Sequence, residues 1–357
     1  MQDTKQHRGP ASPGRMFRIL LLAAAMVMTA ALAPSASAVR AGDGGVRYVV
    51  PLGRAVGIKL FSEGVLVVGL ADVSTEQGPA SPARACGLQE GDVITHINDA
   101  KVSSIEEVQT ILRETGAEEL ELRILRDEDA REVTTHAAQC SADGAYKLGA
   151  WIRDSMAGIG TLTFVDPETG LFGTLGHGIN DVDTAVLMKL QAGAVTPATV
   201  AGIVKGASGR PGELRGSFTG GADLGTLYAN TESGVFGYLA DPSALGGQAM
   251  PVAEPSQVHE GSATILANIV DDKVEEYSVE ILKVYPNASD TRALMLKVTD
   301  QRLLDQTGGI VQGMSGSPIL QDGRVVGAVT HVLIDHADRG YGILATHMLV
   351  AAKQSQI

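Results

Sequence analysis

The stretch GGIVQGMSGSPIL, residues 308–320, places a serine between glycines and shortly before a proline, with apolar runs on either side. Glycine permits tightly bent backbone, which a nucleophilic serine needs if backbone amides are to face the developing oxyanion. The stretch therefore indicates Ser315 as a nucleophile, with the amides of Gly313 and Ser315 as oxyanion donors. Glycine-serine turns are also common structural turns, so this interpretation depends on the residues around it.

The chain from about Ala145 onward consists of short apolar runs punctuated by glycine, such as AGIVKGASG and GRVVGAVTHVL. Many short strands separated by turns are typical of a β-barrel or sandwich. A second glycine-rich turn, FGTLGHGI at residues 172–179, holds His177 between two glycines. GxSGxP resembles the nucleophile loop of chymotrypsin-like peptidases, in which the base histidine also precedes the serine, so His177 is the candidate general base.

Residues 47–135 indicate a smaller α+β domain. The run GVLVVGLADV (64–73) predicts a strand, and SIEEVQTILRET (104–115) predicts a helix that begins with a capping box of Ser104 and Glu107. The stretch SPARACGLQEGDVITHIND (81–99) resembles PDZ domains of bacterial HtrA-type and processing proteases.

That resemblance implies a peptide-binding groove, in which a ligand adds as an extra strand and backbone amides hold its terminal carboxylate. The matching loop is GRAVGIKL (53–60), with Val56, Gly57 and Ile58 as the binding residues. The ligand is then a peptide, including one from the chain itself. The alternative is a PDZ domain that packs against its neighbour and binds no free peptide.

The first 38 residues have the layout of an export signal, with basic residues before the apolar run ILLLAAAMVMTAALA (19–33) and small residues after it. We expect this segment to direct export and, if it is not cleaved, to anchor the body to a membrane, with residues 39–46 as a linker. The net charge of −13 argues against nucleic acid as a partner. Because no paired Cys or His spacing suggests a metal site, neither a metal nor another cofactor is predicted.

Two longer stretches carry a more specific resemblance. KVTDQRLLDQTGGIVQGMSGSPILQDGRVVGAVTHVLIDHADRGYGI (297–343) and GTLGHGI (173–179) resemble the SpoIVB peptidase family of endospore-forming bacteria. The order of export segment, PDZ domain and peptidase domain is similar too, so the resemblance covers nearly all of residues 47–357. It implies a mainly β chain in which the PDZ domain precedes a glycine-rich, chymotrypsin-like barrel over residues 145–357.

The same resemblance implies a catalytic triad of Ser315 as nucleophile, His177 as base and Asp300 as the third member. Asp300 lies shortly before the serine in the chain, whereas a chymotrypsin-like arrangement takes its aspartate from a segment after the histidine. Asp223, Asp181 and Asp183 therefore remain alternatives on spacing. His331, beyond the serine, is either a residue of the substrate cleft or an ordinary strand histidine.

Family resemblance further implies a role in sporulation. The chain would be secreted into the space between the forespore and mother-cell membranes, cleave itself, and cleave a membrane-bound regulator that controls processing of a mother-cell sigma factor. Two alternatives stay open: a PDZ signalling scaffold without peptidase activity, and a general extracytoplasmic quality-control protease.

Overall fold

Strands dominate the part of the chain that the computed structural model describes, namely residues 47–127, 129–285, 288 and 291–356. The strands are β1 (Tyr48–Leu70), β2 (Val73–Thr75), β3 (Gly78–Ala80), β4 (Val93–Ile97), β5 (Ala100–Lys101), β6 (Glu119–Arg126), β7 (Asp129–His136), β8 (Ala138–Gln139), β9 (Tyr146–Lys147), β10 (Ala150–Val165), β11 (Leu171–Thr174), β12 (Leu190–Val204), β13 (Glu213–Phe218), β14 (Gly225–Thr231), β15 (Gly234–Leu239), β16 (Met250–Pro251), β17 (Gly261–Val270), β18 (Lys273–Val284), β19 (Leu294–Val298), β20 (Pro318–Gln321), β21 (Arg324–Leu333) and β22 (His336–Leu344). The helices are α1 (Pro82–Ala85), α2 (Ile105–Thr115), α3 (Gln301–Thr307) and α4 (Ala345–Gln354), with 3-10 turns at Pro242–Leu245 and Pro255–Gln257.

The predicted export segment and linker, residues 1–46, lie outside the described residues. Across the described ranges, no helix combines the length and the apolar character needed to cross a membrane.

Six antiparallel strands close into a first barrel. Its path runs from β12 through β14, β15, β11 and β10 to β1, and pairing between β1 and β12 closes the ring. Apolar side chains from alternate strand positions fill the interior, among them Val56, Leu162, Phe172, Val195 and Val235. Because each strand buries one face in this way, burial of apolar surface stabilises the closed ring.

A second closed barrel follows in the chain, with the strand order β17-β18-β19-β22-β21-β20. Tyr277, Leu294, Leu296, Ile319 and Val329 are among the buried residues of its core. Two six-stranded antiparallel barrels, the first bearing the histidine and the second the serine, make the arrangement of chymotrypsin-like peptidases. The prediction of a mainly β chain, in which a smaller α+β domain precedes a glycine-rich, chymotrypsin-like barrel region, is confirmed.

Strand β1 belongs to both the peptidase and the PDZ part. Its first half, as far as Ser62, lies in the first barrel, and after a break in register Val65 and Leu66 pair with β4 of the PDZ sheet. Gly64 makes the bend possible, because it has a φ of +85° and a Cβ there would lie 2.7 Å from the Val93 side chain. Residues 48–62 are therefore barrel residues, although the sequence predicted a PDZ domain from residue 47.

The PDZ part consists of β4, β6 and β7 with α2 packed on them. The capping box predicted from the sequence is present: the Glu107 amide donates to Ser104 Oγ at 3.2 Å, and the Ser104 amide donates to Glu107 Oε2 at 3.1 Å. Val108 and Leu112 on α2 pack into a core that includes Ile94 and Leu122. Local capping and one apolar face thus suffice to specify this helix.

Candidate active site

The loop around Ser315 is held by both barrels. Thr161 of β10 donates from Oγ1 to the Gly313 carbonyl at 2.7 Å and from its amide to the Ser315 carbonyl at 3.3 Å. Gly313 and Gly316 have φ values of +96° and +98°, a region that glycine adopts without strain. At Gly316 a Cβ would also lie only 2.2 Å from the Thr161 carbonyl oxygen. The glycines around the serine are therefore required by close backbone approach.

The predicted oxyanion donors, the amides of Gly313 and Ser315, make no hydrogen bond within the described part of the chain, whereas the neighbouring amides of Met314 and Gly316 donate to Val311 and Val329. Gly313 and Ser315 both line one cavity. Two unused donors on residues that line the same cavity are available to bind an oxyanion there.

His177 follows β11, with Leu175 and Gly176 in left-handed conformations just before it. Its half-buried ring has Nδ1 2.8 Å from the Gly178 carbonyl oxygen. Because a carbonyl only accepts hydrogen bonds, Nδ1 carries the proton and Nε2 is left as an acceptor. Burial lowers the pKa of His177 below its ordinary value, and the Gly178 carbonyl offsets part of this effect. The ring is therefore neutral near pH 7, as a general base must be.

His177 and Ser315 line the same cavity, which has a volume of about 480 Å³, together with Gly313, Thr330 and His331. The ring centres of His177 and His331 are 5.3 Å apart, so His331 lies at the cleft. The Ser315 hydroxyl donates to the Thr330 carbonyl at 2.7 Å, and no hydrogen bond joins it to His177. Catalytic hydrogen bonds of this kind often form only once a substrate is bound.

Asp300 is placed elsewhere. It is the N-cap of α3, where Oδ1 accepts from the Arg302 amide at 2.9 Å and Oδ2 accepts from Arg302 Nη2 at 2.9 Å and the Ser278 amide at 3.3 Å. The Arg302 guanidinium holds the pKa of Asp300 below its ordinary value. The structure does not bring Asp300 to His177, and the role that the resemblance implies for it stays a prediction.

None of the alternative aspartates hydrogen-bonds to His177 either. Asp181 is buried and pairs with Arg153 of β10, while Asp183 is exposed and lies 2.8 Å from the same guanidinium. Asp223 is exposed on the approach to β14. The acceptor that orients the imidazole is the Gly178 carbonyl, a role that sequence reasoning missed because a backbone group leaves no signal in residue type.

A family model for SpoIVB peptidase S55 matches residues 144–349, and a PDZ domain model matches residues 73–126. The chain belongs to the SpoIVB peptidase S55 family. The turns that hold His177 and Ser315 both fall within the region that the peptidase model matches.

Curated relatives share a shorter region. Zinc metalloprotease RasP of Oceanobacillus iheyensis is 29% identical over 115 residues, which cover 31% of this chain and 26% of that protein. RasP of Shouchella clausii is 30% identical over 139 residues, covering 36% and 31% respectively. The chain thus matches less than a third of the length of these relatives.

Three solved structures also match. The PDZ domain of an SdrC-like protein from Listeria monocytogenes is 16% identical, with a TM-score of 0.21, and the match covers 25% of this chain and 87% of that one. The HtrA-type protease AlgW with a decapeptide is 13% identical, with a TM-score of 0.35 and coverages of 57% and 53%. The active form of the Rv3671c protease from M. tuberculosis is 15% identical, with a TM-score of 0.32 and coverages of 70% and 84%.

The predicted PDZ-binding residues need correction. Val56, Gly57 and Ile58 lie in the middle of β1, which pairs with β10 on one edge and β12 on the other, so no backbone edge is open to a ligand strand there. A Cβ at Gly57 would lie 2.1 Å from the Phe218 ring. This glycine serves close packing in the first barrel, while Ile58 lines the catalytic cavity.

Proposed function

We propose that this peptidase processes itself and cleaves a regulatory membrane protein during endospore formation. The observation that carries the chemistry is the common cavity of Ser315, two unused amides and a neutral His177. The sporulation role is supported by membership of the SpoIVB family. Export is supported by the layout of residues 1–38, and the space between the forespore and mother-cell membranes is the location that the family resemblance implies.

In the proposed reaction the Ser315 hydroxyl leaves the Thr330 carbonyl and turns to His177. Ser315 Oγ attacks the peptide carbonyl carbon as His177 Nε2 takes its proton, and the Gly313 and Ser315 amides bind the oxyanion. His177 then protonates the leaving amine, the C–N bond breaks, and an ester remains on Ser315. A water molecule, deprotonated by His177, attacks the ester and releases the acid, which restores the free serine.

The experiment compares the full chain with its Ser315→Ala form, following self-cleavage by gel and mass spectrometry. Ser317→Ala is a matched control, because the buried Ser317 hydroxyl in the same loop has no hydrogen-bond partner. We expect fragments from the parent and the control, and none from Ser315→Ala. Equal fragmentation of all three would show that Ser315 is not responsible. Absence of fragments, together with no labelling of Ser315 by a fluorophosphonate, would favour the scaffold alternative.

The sporulation role needs a cellular test. In an endospore-forming host that lacks its own peptidase of this family, we expect the parent gene, and not the Ser315→Ala form, to restore spore formation and sigma-factor processing. Rapid degradation of unfolded casein without such restoration would favour a quality-control protease.

The PDZ ligand site is proposed to lie between α2 and β10. The Asp154 side chain on β10 accepts from the Ile105 amide of α2 at 3.0 Å, so this strand lies beside the helix. Along Ala150–Ser155, β10 pairs with β1 on one edge, and its pairing with β11 begins only at Leu162, which leaves the outer edge open within the described residues. An open edge that follows a glycine turn at Gly149, with φ +76°, suits an added peptide strand.

Trp151, the single tryptophan, is 68% exposed on this strand and reports on the site directly. Titrating the Ser315→Ala protein with a peptide that ends in a free apolar C-terminal residue should change Trp151 fluorescence. The same peptide with an amidated C-terminus should bind more weakly, since it lacks the carboxylate. No response to either peptide would support a PDZ domain that binds no free ligand.

A further inference from the structure

The catalytic cavity has an apolar wall with a distinctive composition. None of the described residues that line it is Asp, Glu, Lys or Arg, and its polar side chains beyond the serine are neutral amides, a hydroxyl and imidazoles. Most of the remaining side chains are aliphatic or Met: Ile58, Met156, Ile159, Leu175, Ile179 and Val332, with others of the same kind.

Two of the segments that contribute this wall flank the nucleophile. Ile310 and Val311 come just before the Ser315 loop, and Val332 and Ile334 lie on or after β21, beyond the Thr330 carbonyl that accepts from Ser315 Oγ. On β21, pairing with β20 ends at Ala328, so Val332 lies beyond the β20-paired part of the strand. Apolar side chains therefore stand on both chain segments that flank Ser315 and Thr330.

Resting on the proposed function, we infer that the site selects substrates with an uncharged, apolar residue on the N-terminal side of the cleaved bond. A lysine or aspartate in this position would lose hydration without meeting an opposite charge, which is strongly unfavourable. An aliphatic side chain or Met would instead bury its surface against Val332 and its neighbours.

The test uses two peptides that differ only at this position, one with norleucine and one with lysine, which have nearly the same chain length and differ in the terminal charge. With the full chain, kcat/KM for the lysine peptide should be lower by roughly 100-fold or more. Mass spectrometry of a cleaved peptide library should show the same preference across all charged residues. Equal or faster cleavage after lysine, arginine, aspartate or glutamate would overturn the inference.

Substitutions in the cavity test whether its apolar side chains cause this substrate preference. Val332→Asp should shift the lysine-to-norleucine ratio toward lysine by about tenfold or more, because it places a carboxylate in the cavity. Ile334→Asp is the second variant, since Ile334 is exposed at the rim and tolerates a charge. Val350→Asp, at a similarly exposed position on α4 that does not line the cavity, is the matched control and should leave the ratio unchanged.

An unchanged lysine-to-norleucine ratio in both folded cavity variants would contradict the inference. Failure of the parent to cleave any peptide in a Ser315-dependent way would instead refute the proposed function.

Discussion

Replacing Arg153 with Met tests the ion pair that ties β10 to the turn after His177. The Arg153 guanidinium meets Asp181, whose side chain is fully buried, and also lies 2.8 Å from Asp183 Oδ2. Asp181 Oδ1 further accepts from the amides of Asp183 and Thr184, at 3.1 and 2.9 Å, and so organises the turn. The substitution therefore leaves a buried carboxylate with only part of its hydrogen bonding.

Breaking a buried pair costs about 3–5 kcal/mol when the remaining charge has no other partner. Here Asp181 keeps two backbone amides and Arg153 is 29% exposed, so we expect a loss of about 2–3 kcal/mol in the free energy of unfolding. Arg54→Met is the matched control, since Arg54 pairs with Asp272 at 2.7 Å but both side chains are more exposed, at 34% and 52%. That pair should contribute less than about 1 kcal/mol.

Urea unfolding followed by circular dichroism measures the loss of stability in each variant, provided that the slope of the free energy of unfolding against urea concentration stays constant.

The pH dependence of stability is a second test. Burial opposes ionisation of Asp181, but the Thr184 amide and the Arg153 guanidinium more than offset it, so its folded pKa lies below the ordinary value. The stability from this carboxylate is therefore present above its unfolded pKa and is lost as the pH falls through the folded pKa. Arg153→Met should reduce this acid dependence. Equal losses in the two variants, with unchanged acid dependence, would refute the reasoning.

Three further predictions concern the catalytic machinery. Gly316→Ala should abolish fluorophosphonate labelling of Ser315, because the new Cβ would lie 2.2 Å from the Thr161 carbonyl oxygen. Gly323→Ala is the control and should retain labelling, because Gly323 also has a positive φ but has open space around it. Asp300→Asn keeps an N-cap side chain on α3, so we expect the rate of Ser315 labelling to stay within a few-fold of the parent rate. A loss in this rate of about 10⁴-fold would instead show that Asp300 orients His177. Because burial lowers the pKa of His177, the labelling rate should rise with pH through a midpoint below 6.5, and a midpoint above 6.5 would contradict a desolvated base.

Features that depend on neighbouring residues could be predicted from the sequence. The capping box of Ser104 and Glu107 is local, and the helix α2 begins where that spacing places it. The Ser315 loop is equally local, since its glycines adopt the left-handed conformations that the run of small residues indicates. Asp300 carried a local signal too: an Asp before a short run of helix formers is typical of an N-cap.

Features that depend on distant pairing could not be predicted. The run around Gly57 has the composition of a PDZ loop, but β12, which comes far later in the chain, pairs with its free edge and makes it the interior of a barrel. The same applies to the histidine, whose orienting partner is a backbone carbonyl rather than any of the aspartates that spacing suggested.

The sequence by itself therefore determined the fold class and the order of the two domains, and it indicated Ser315 and His177 as the candidate nucleophile and base, because each of these inferences rests on residue types in short, tightly constrained stretches. Only the tertiary structure decided that β1 is shared between the domains and that aliphatic side chains line the cleft. Those outcomes depend on which strand edges and side chains meet across the two barrels, and strand pairing over long sequence separation is not specified by local pattern.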